Sequence, residues 1–481
     1  MEHFRRWGLA ERIRAAAPLK VDWSQDAVFV TSLLGREVMR FSDCFGLSPG
    51  RSEVFAESGQ QIAQPVVEAV LRQAVAELDA CQLCLGWSVT GLEQQAQGVR
   101  ATLVNEQGEQ RQVEAQYVVG GDGARSVVRA AMGARYVGAS DARTNLGIVF
   151  RAPGLAERQP HGRAVHYWVL NPACPGLMGR LDLGERWWAI ANRVPAEAGA
   201  AEARALIDGL VGAAIEAEVL ATDPWTARML LADQYQNGRV FLAGDAAHLN
   251  PPWGGHGFNT GIGDAVAIGW KLAAVLAGWG GAGLLASYEA ERRPVAERTI
   301  REATANMSVL APELADAALE AAGPAGEQAR RRAAEVIRAA KAREFHSLGL
   351  VLGYQYDHSP VIVPDGTPPV PEASDYQPSA RPGGRLPHAW LSDGAAVYDR
   401  LGTGLALLRL RDEADPGPLA AAAAERGVPL QVVDVRGEGL DARYGAAMVL
   451  VRPDQHVAWR GGAADGPAAA MIIERVSGRS N

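Results

Sequence analysis

Arg239-Val-Phe-Leu-Ala-Gly-Asp-Ala-Ala-His-Leu-Asn-Pro-Pro-Trp-Gly-Gly-His-Gly-Phe-Asn-Thr-Gly-Ile-Gly-Asp-Ala265 decides the fold. An apolar run ends at Gly244, an acidic residue follows at Asp245, glycines recur at 254, 255 and 257, and an apolar helical pattern opens near Phe258. That order predicts a buried strand, a glycine-rich turn and a long helix of an α/β sheet. Open α/β sheets bind ligands outside the carboxyl ends of their strands, so Asp245 is placed to accept hydrogen bonds from ribose or ribityl hydroxyls. Gly255 and Gly257 would let the backbone approach a flat ring closely, and the helix's first free N–H groups would point at it.

Working outward, residues 3 to 18 and 61 to 79 carry helical apolar spacing, and 97 to 105 and 111 to 119 alternate as strands. Thr144 to Phe150, Val165 to Leu170 and Arg186 to Val194 are β-rich runs that predict an inserted sheet. Alanine-rich stretches at 197 to 221 and 310 to 345 favour helix. The proline-rich segment 360 to 387 suits a wrapped linker rather than packed structure. Beyond it, Leu405 to Leu410, Leu430 to Val435, Met448 to Val451 and His456 to Arg460 predict the strands of a small α/β module.

A chain of 481 residues exceeds one core and implies two or three domains. The net charge of -8 argues against nucleic-acid binding. No apolar run is long enough to span a bilayer, and the charged opening Met1-Glu-His-Phe-Arg-Arg has no signal-peptide core, so the cytoplasm is expected. Cys81 and Cys84 have the spacing of a redox or zinc pair, but no further ligands follow. They are expected, with Cys44 and Cys174, as buried packing residues.

The run around Asp245 resembles the class A FAD-dependent aromatic hydroxylases, of the p-hydroxybenzoate hydroxylase type. Tyr117-Val-Val-Gly-Gly-Asp-Gly-Ala-Arg-Ser-Val-Val-Arg129 resembles their Asp-Gly fingerprint. Phe345-His-Ser-Leu-Gly-Leu-Val-Leu-Gly-Tyr-Gln-Tyr356 and Tyr376-Gln-Pro-Ser-Ala-Arg-Pro-Gly-Gly-Arg-Leu-Pro-His-Ala-Trp-Leu391 point to the phenol and chlorophenol hydroxylase branch, with its thioredoxin-like C-terminal domain. The resemblance implies a discontinuous FAD-binding domain over 1–137 and 225–300 and a substrate-binding sheet over 138–224. It implies a helical segment over 301–359, the linker 360–387 and a thioredoxin-like domain over 388–481. Since no cysteine follows Cys174, thiol–disulfide exchange in that last domain is excluded.

The resemblance assigns FAD contacts to Gln64, Gly244, Asp245, Pro252, Gly255, Gly257, Phe258 and Asn259. It links Asp122 and Gly123, with Arg125 and Arg129, to the flavin and to NADPH or NADH. Asp122 and its neighbours also read as a strand-to-helix turn with Ser126 as N-cap, Gln64 as an exposed helix-start residue, and His248 and His256 as loop hydrogen-bonding residues. His166, Trp168 and Trp188 are candidate pocket residues. The implied reaction is NAD(P)H- and O₂-dependent hydroxylation of a phenolic or polycyclic aromatic through a flavin C4a-hydroperoxide, with a homodimer as family habit. A positive helix end near the ring would favour flavin reduction, which places negative charge at its N1/O2 edge.

Family members open with a strand, a Gly-x-Gly-x-x-Gly turn and a helix that hold the FAD pyrophosphate. Nothing before Gly120 matches, so a βαβ unit of roughly 30 residues or more is expected to be missing here. The expected consequence is loss of the main anchor for the AMP half of FAD, and with it weak or absent FAD binding. A truncated, non-catalytic homologue is the alternative. A flavin halogenase would carry Trp-x-Trp-x-Ile-Pro, which Arg186-Trp-Trp-Ala-Ile-Ala191 does not match.

Overall fold

The computed structural model describes residues 1–195, 197–308, 316–372 and 374–480. The strand Val240–Leu242, buried at every position, pairs in parallel with Val118–Gly120, and Gln236–Asn237 closes the sheet's other edge. The helix His256–Leu276 follows the glycine-rich turn and packs beside Ala282–Ser308. Ile268 and Tyr288 from these helices join Phe241 and Leu242 in one core, so this helix pair buries the strand that ends at Asp245.

A second, eight-stranded sheet carries the wall of the candidate site. Its order is His248–Leu249, Glu218–Ala232, Tyr136–Arg151, Arg186–Val194, Gly176–Arg180, His166–Val169, Ala27–Val30 and Glu37–Phe41. All pairings are antiparallel except that of Ala27–Val30 with His166–Val169. The sheet is therefore wider than the expected 138–224, because Ala27–Val30 and Glu37–Phe41 supply the edge beyond His166. A three-stranded antiparallel sheet, Trp87–Gln94, Val99–Asn105 and Gln110–Ala115, pairs with neither but packs on the core of the Val240–Leu242 sheet through Val99.

Several expectations need correction. Residues 3 to 18 form two helices, Glu2–Arg6 and Ala10–Ala16, because Gly8 between them adopts φ 71° and breaks the helical path. The alanine-rich 197–221 is helix only over Ala200–Val211. Gly212 closes it in the left-handed conformation, and Glu218 already belongs to a strand. The helix expected from 310 begins, within the described residues, at Gly323 and runs to Phe345; 310–315 lie outside them. Cys81 and Cys84 are exposed, since the chain leaves the helix Gln64–Ala76 over an open surface loop, whereas Cys44 and Cys174 are buried.

The linker reading of 360–387 holds for regular structure but not for burial. Ala380, Arg381, Arg385 and Leu386 are buried, and Arg385 bridges to His456 across backbone. The C-terminal sheet has the order Leu430–Asp434, Leu405–Arg409, Met448–Val451 and Val457–Gly461, with helices Gly417–Glu425 and Gly466–Val476 packed together. This β-α-β then β-β-α order matches the expected thioredoxin-like module.

Buried ions join that module to the rest. Glu291, on the helix Ala282–Ser308, receives Lys271 Nζ at 2.6 Å, Ser359 Oγ at 2.5 Å, and the Arg452 guanidinium at 2.6 and 2.8 Å. Arg452 also pairs with Asp454, which accepts Trp270 Nε1 at 3.1 Å. Each ion is compensated by geometry and hydrogen bonds, which a buried charge requires.

Candidate active site

One cavity of about 600 Å³ lies between the glycine-rich turn and the eight-stranded sheet. Gln64, Pro252, Gly255, Phe258 and Asn259 line one side, and His166, Trp168 and Trp188 line the other. The helix His256–Leu276 starts at Gly255, at φ 67°, with no side-chain cap, so its positive end opens on the cavity. Nothing stands within 4 Å of where a Gly257 Cβ would project, and Phe258 is 46 % exposed. Asn259 Nδ2 donates to Gly255 O at 2.8 Å and braces the first turn. These features fit the edge of a flavin ring.

Asp245 and Gly244 sit outside the cavity, at the carboxyl end of Val240–Leu242. Asp245 is exposed, and its carboxylate makes no hydrogen bond or ion pair among the described residues, which suits a group reserved for ligand hydroxyls. Gly244, at φ 58°, is held from behind: its N–H donates to Asp264 Oδ2 at 3.0 Å. The same carboxylate meets His248 Nε2 and Arg292 Nε, each at 2.8 Å. Burial opposes its charge, but Arg292 and then His248 hold the Asp264 carboxyl below its ordinary value. Arg292 Nη2 reaches Thr260 O at 3.2 Å, so one buried cluster ties the turn to the first turns of the following helix. A Cβ on Gly261 would stand 3.1 Å from Gly244 Cα, so close packing reinforces the tie. Sequence reading quoted Asp264 without giving it a role; its partners lie 16, 20 and 28 residues away, and no local pattern announces them.

The Asp-Gly segment is capped much as its alternative reading describes. Asp122 accepts Ser126 Oγ at 2.5 Å and Val128 N at 3.1 Å, and Ser126 accepts Arg129 N at 2.8 Å. Gly123 adopts φ 78°. Arg129 donates to Ala124 O and Ala246 O while lying over the Tyr136 ring, which links this segment to the turn after Asp245. Arg125 is exposed. Gln64 opens its helix, exposed at the cavity mouth, with Nε2 donating to Glu68 at 2.8 Å.

The far wall is built by strand alternation. Trp188, Ile190 and Asn192 project from Arg186–Val194, and His166 and Trp168 from His166–Val169, because every second residue faces the same side. Burial, with a smaller push from Lys341, lowers His166 to about 3, and burial lowers His256 to about 4, so both rings are neutral at neutral pH. Neither Nε2 has a hydrogen-bond partner. His248, by contrast, belongs to the Asp264 cluster. Glu344 also lines the cavity, and sequence reading missed it. Burial raises its carboxyl despite Lys341 Nζ at 2.7 Å, and that ammonium lies over the Trp168 ring.

The family described as FAD binding domain matches residues 1–303, and that described as Aromatic-ring hydroxylase, C-terminal, matches 379–480. A putative polyketide hydroxylase of Streptomyces halstedii is 34% identical over 494 residues, covering 96% of this chain and 84% of that protein. RebC with bound 7-carboxy-K252c superposes with a TM-score of 0.91 at 35% identity, over 99% of this chain and 90% of that one. The flavin-dependent monooxygenase PieE, solved with FAD and substrate, gives 0.88 at 29% identity, over 99% and 90%. Continuous similarity of this extent does not favour the non-catalytic alternative. The chain belongs to the FAD-dependent aromatic-ring hydroxylases.

Proposed function

We propose that the chain inserts one oxygen atom of O₂ into an electron-rich phenolic or polycyclic aromatic ring, using FAD and a reduced nicotinamide, NADPH or NADH. The observation that carries this reading is the single cavity in which Gln64, Pro252, Gly255, Phe258 and Asn259 face His166, Trp168 and Trp188. A bound flavin would supply the oxygen activation and the electron transfer.

The protein's part is to bind, orient and exclude water. Asp245 would accept hydrogen bonds from hydroxyls of a ribityl chain, and Gly244 shapes the turn that presents it. The uncapped N-terminus at Gly255 stabilises negative charge at the ring edge. Pro252 and Phe258, which line the cavity, would hold the ring, and Gly257, next to the lining, presents no side chain against it. Trp168, Trp188, Trp225 and Trp253 form aromatic walls that keep water from the reacting atoms. His166, lowered by burial to about 3 and so neutral at neutral pH, accepts the hydrogen of a phenolic hydroxyl at Nε2 and orients the ring. Exposed Arg125, beside Asp122 and Gly123, is the candidate for nicotinamide-nucleotide phosphate. The domain limits given above, with Ala27–Val30 and Glu37–Phe41 added to the substrate-binding sheet, a homodimer and a cytoplasmic location belong to the same reading. Among the described residues no helix is long and apolar enough to cross a membrane.

The test is the visible spectrum of the purified chain after incubation with excess FAD and desalting, followed by aromatic-stimulated NAD(P)H oxidation. Retained flavin with stimulated oxidation bears this reading out over the weak binding expected from the sequence; a colourless protein overturns it.

A further inference from the structure

The cavity's far wall carries polar atoms that nothing in the protein uses. Trp168 is 2 % exposed and its Nε1 has no partner; His166 Nε2 and Asn192 Oδ1 are buried and equally unpartnered. Buried polar atoms left unpaired cost about 1 to 3 kcal/mol each, so a group of them facing one cavity signals ligand atoms that complete them. They offer a fixed donor at Trp168 and an acceptor at Asn192, with His166 able to take either role by tautomer.

Charge narrows the ligand further. Among the described residues lining the cavity there is no Lys or Arg side chain; the acidic ones are Glu2, Glu57 and Glu344, and the Met1 amine, whose protonation burial disfavours, is the cationic group among them. Lys341 stands behind the Trp168 ring and is already committed to Glu344 and to Asn306 O. An unpaired carboxylate entering against Trp168, His166 and Asn192 loses its hydration with no Lys or Arg side chain of the lining to replace it.

Depth is set at Gly179. Gly179 pairs with Trp188 across the strands, and a Cβ there would stand 2.8 Å from Trp188 Nε1. The indole lies where a side chain at 179 would be, with its centroid 6.4 Å from that of His166.

We propose that this sheet face is a recognition wall selecting an uncharged, hydroxylated aromatic over its carboxylated analogue. Trp168 Nε1, His166 Nε2 and Asn192 Oδ1 are its hydrogen-bonding points, and Gly179 sets its depth. The proposal rests on the hydroxylase reading above.

The experiment uses FAD-loaded enzyme and matched pairs: phenol against salicylate, and 1-naphthol against 1-hydroxy-2-naphthoate. Binding is read by tryptophan fluorescence quenching and turnover by NAD(P)H oxidation. The uncharged member of each pair is expected to have a kcat/KM about 100-fold higher, since polar mismatch in a buried site discriminates strongly. Asn192→Arg should shift the ratio toward the carboxylate by 10-fold or more, on the order expected for a buried ion pair. Gly179→Ala should weaken 1-naphthol more than phenol. Equal or better binding of the carboxylates, or an Asn192→Arg ratio like that of wild type in folded protein, overturns the selectivity. Tight, selective quenching without any stimulated oxidation would instead overturn the hydroxylase reading and leave the wall's preference standing.

Discussion

Arg292 donates Nε to Asp264 Oδ1 at 2.8 Å, with both side chains sealed from solvent, while Asp264's other oxygen holds the Gly244 N–H. The turn that presents Asp245 is thus fixed by a charge pair that never touches the ligand. Replacing Asp264 with Ala strands a buried guanidinium, and breaking such a pair costs about 3 to 5 kcal/mol. Asp264→Ala should lower Tm markedly and weaken FAD binding; Asp264→Asn, which keeps an acceptor for Gly244, should recover part of both. Calorimetry and a flavin fluorescence titration read the two effects.

Asp245→Ala should behave in the opposite way. Its carboxylate makes no hydrogen bond or ion pair among the described residues, so apoprotein stability should stay within about 0.5 kcal/mol. Hydrogen bonds to a charged group contribute about 1.5 to 3 kcal/mol, which predicts FAD binding weaker by about 10- to 100-fold. A Tm loss like that of Asp264→Ala would refute the ligand role.

Acid should loosen the C-terminal module first at Glu291. Burial works against its charge, but Arg452 and Lys271 lower it from the ordinary 4.5 to about 2. A folded pKa below the unfolded one gives stability that is present above about pH 4.5 and lost as pH falls toward 2. The effect is on the order of 3 kcal/mol. Urea melts across that window should show the loss, and Glu291→Gln should flatten it.

The thiols should divide by accessibility. Burial raises Cys44 to about 12 and Cys174 to about 11, whereas Cys81 and Cys84 are exposed. Maleimide at neutral pH should label Cys81 and Cys84 in the native protein and all four cysteines only after denaturation. Mass spectrometry of the labelled peptides checks it.

Much of this was legible because it is local. The order strand, glycine turn and helix from Arg239 to Ala265 is written contiguously, and the C-terminal strands stand out as short apolar runs between turn residues. The two faces of the cavity come from segments about 90 residues apart, and only the fold brings Phe258 opposite His166. Exposure was harder to read. Cys81 and Cys84 look like packing residues by type, but their loop has no neighbour to pack against. The place of Ala27–Val30 in the sheet was hidden because its partner, His166–Val169, lies far along the chain. Burial of Arg381 and Arg385 was equally hidden, since their carboxylate partners Asp357 and Glu2 are supplied by other segments.

Arg452 reaches Glu291 across 161 residues of chain, and that reach makes the C-terminal module inseparable in practice. Cutting the chain in the proline-rich stretch would leave a desolvated carboxylate and the Trp270 indole without their counterparts, so the shortened protein should aggregate rather than survive as a smaller enzyme. Heating the intact chain should correspondingly give one cooperative transition, with both halves failing at the same temperature.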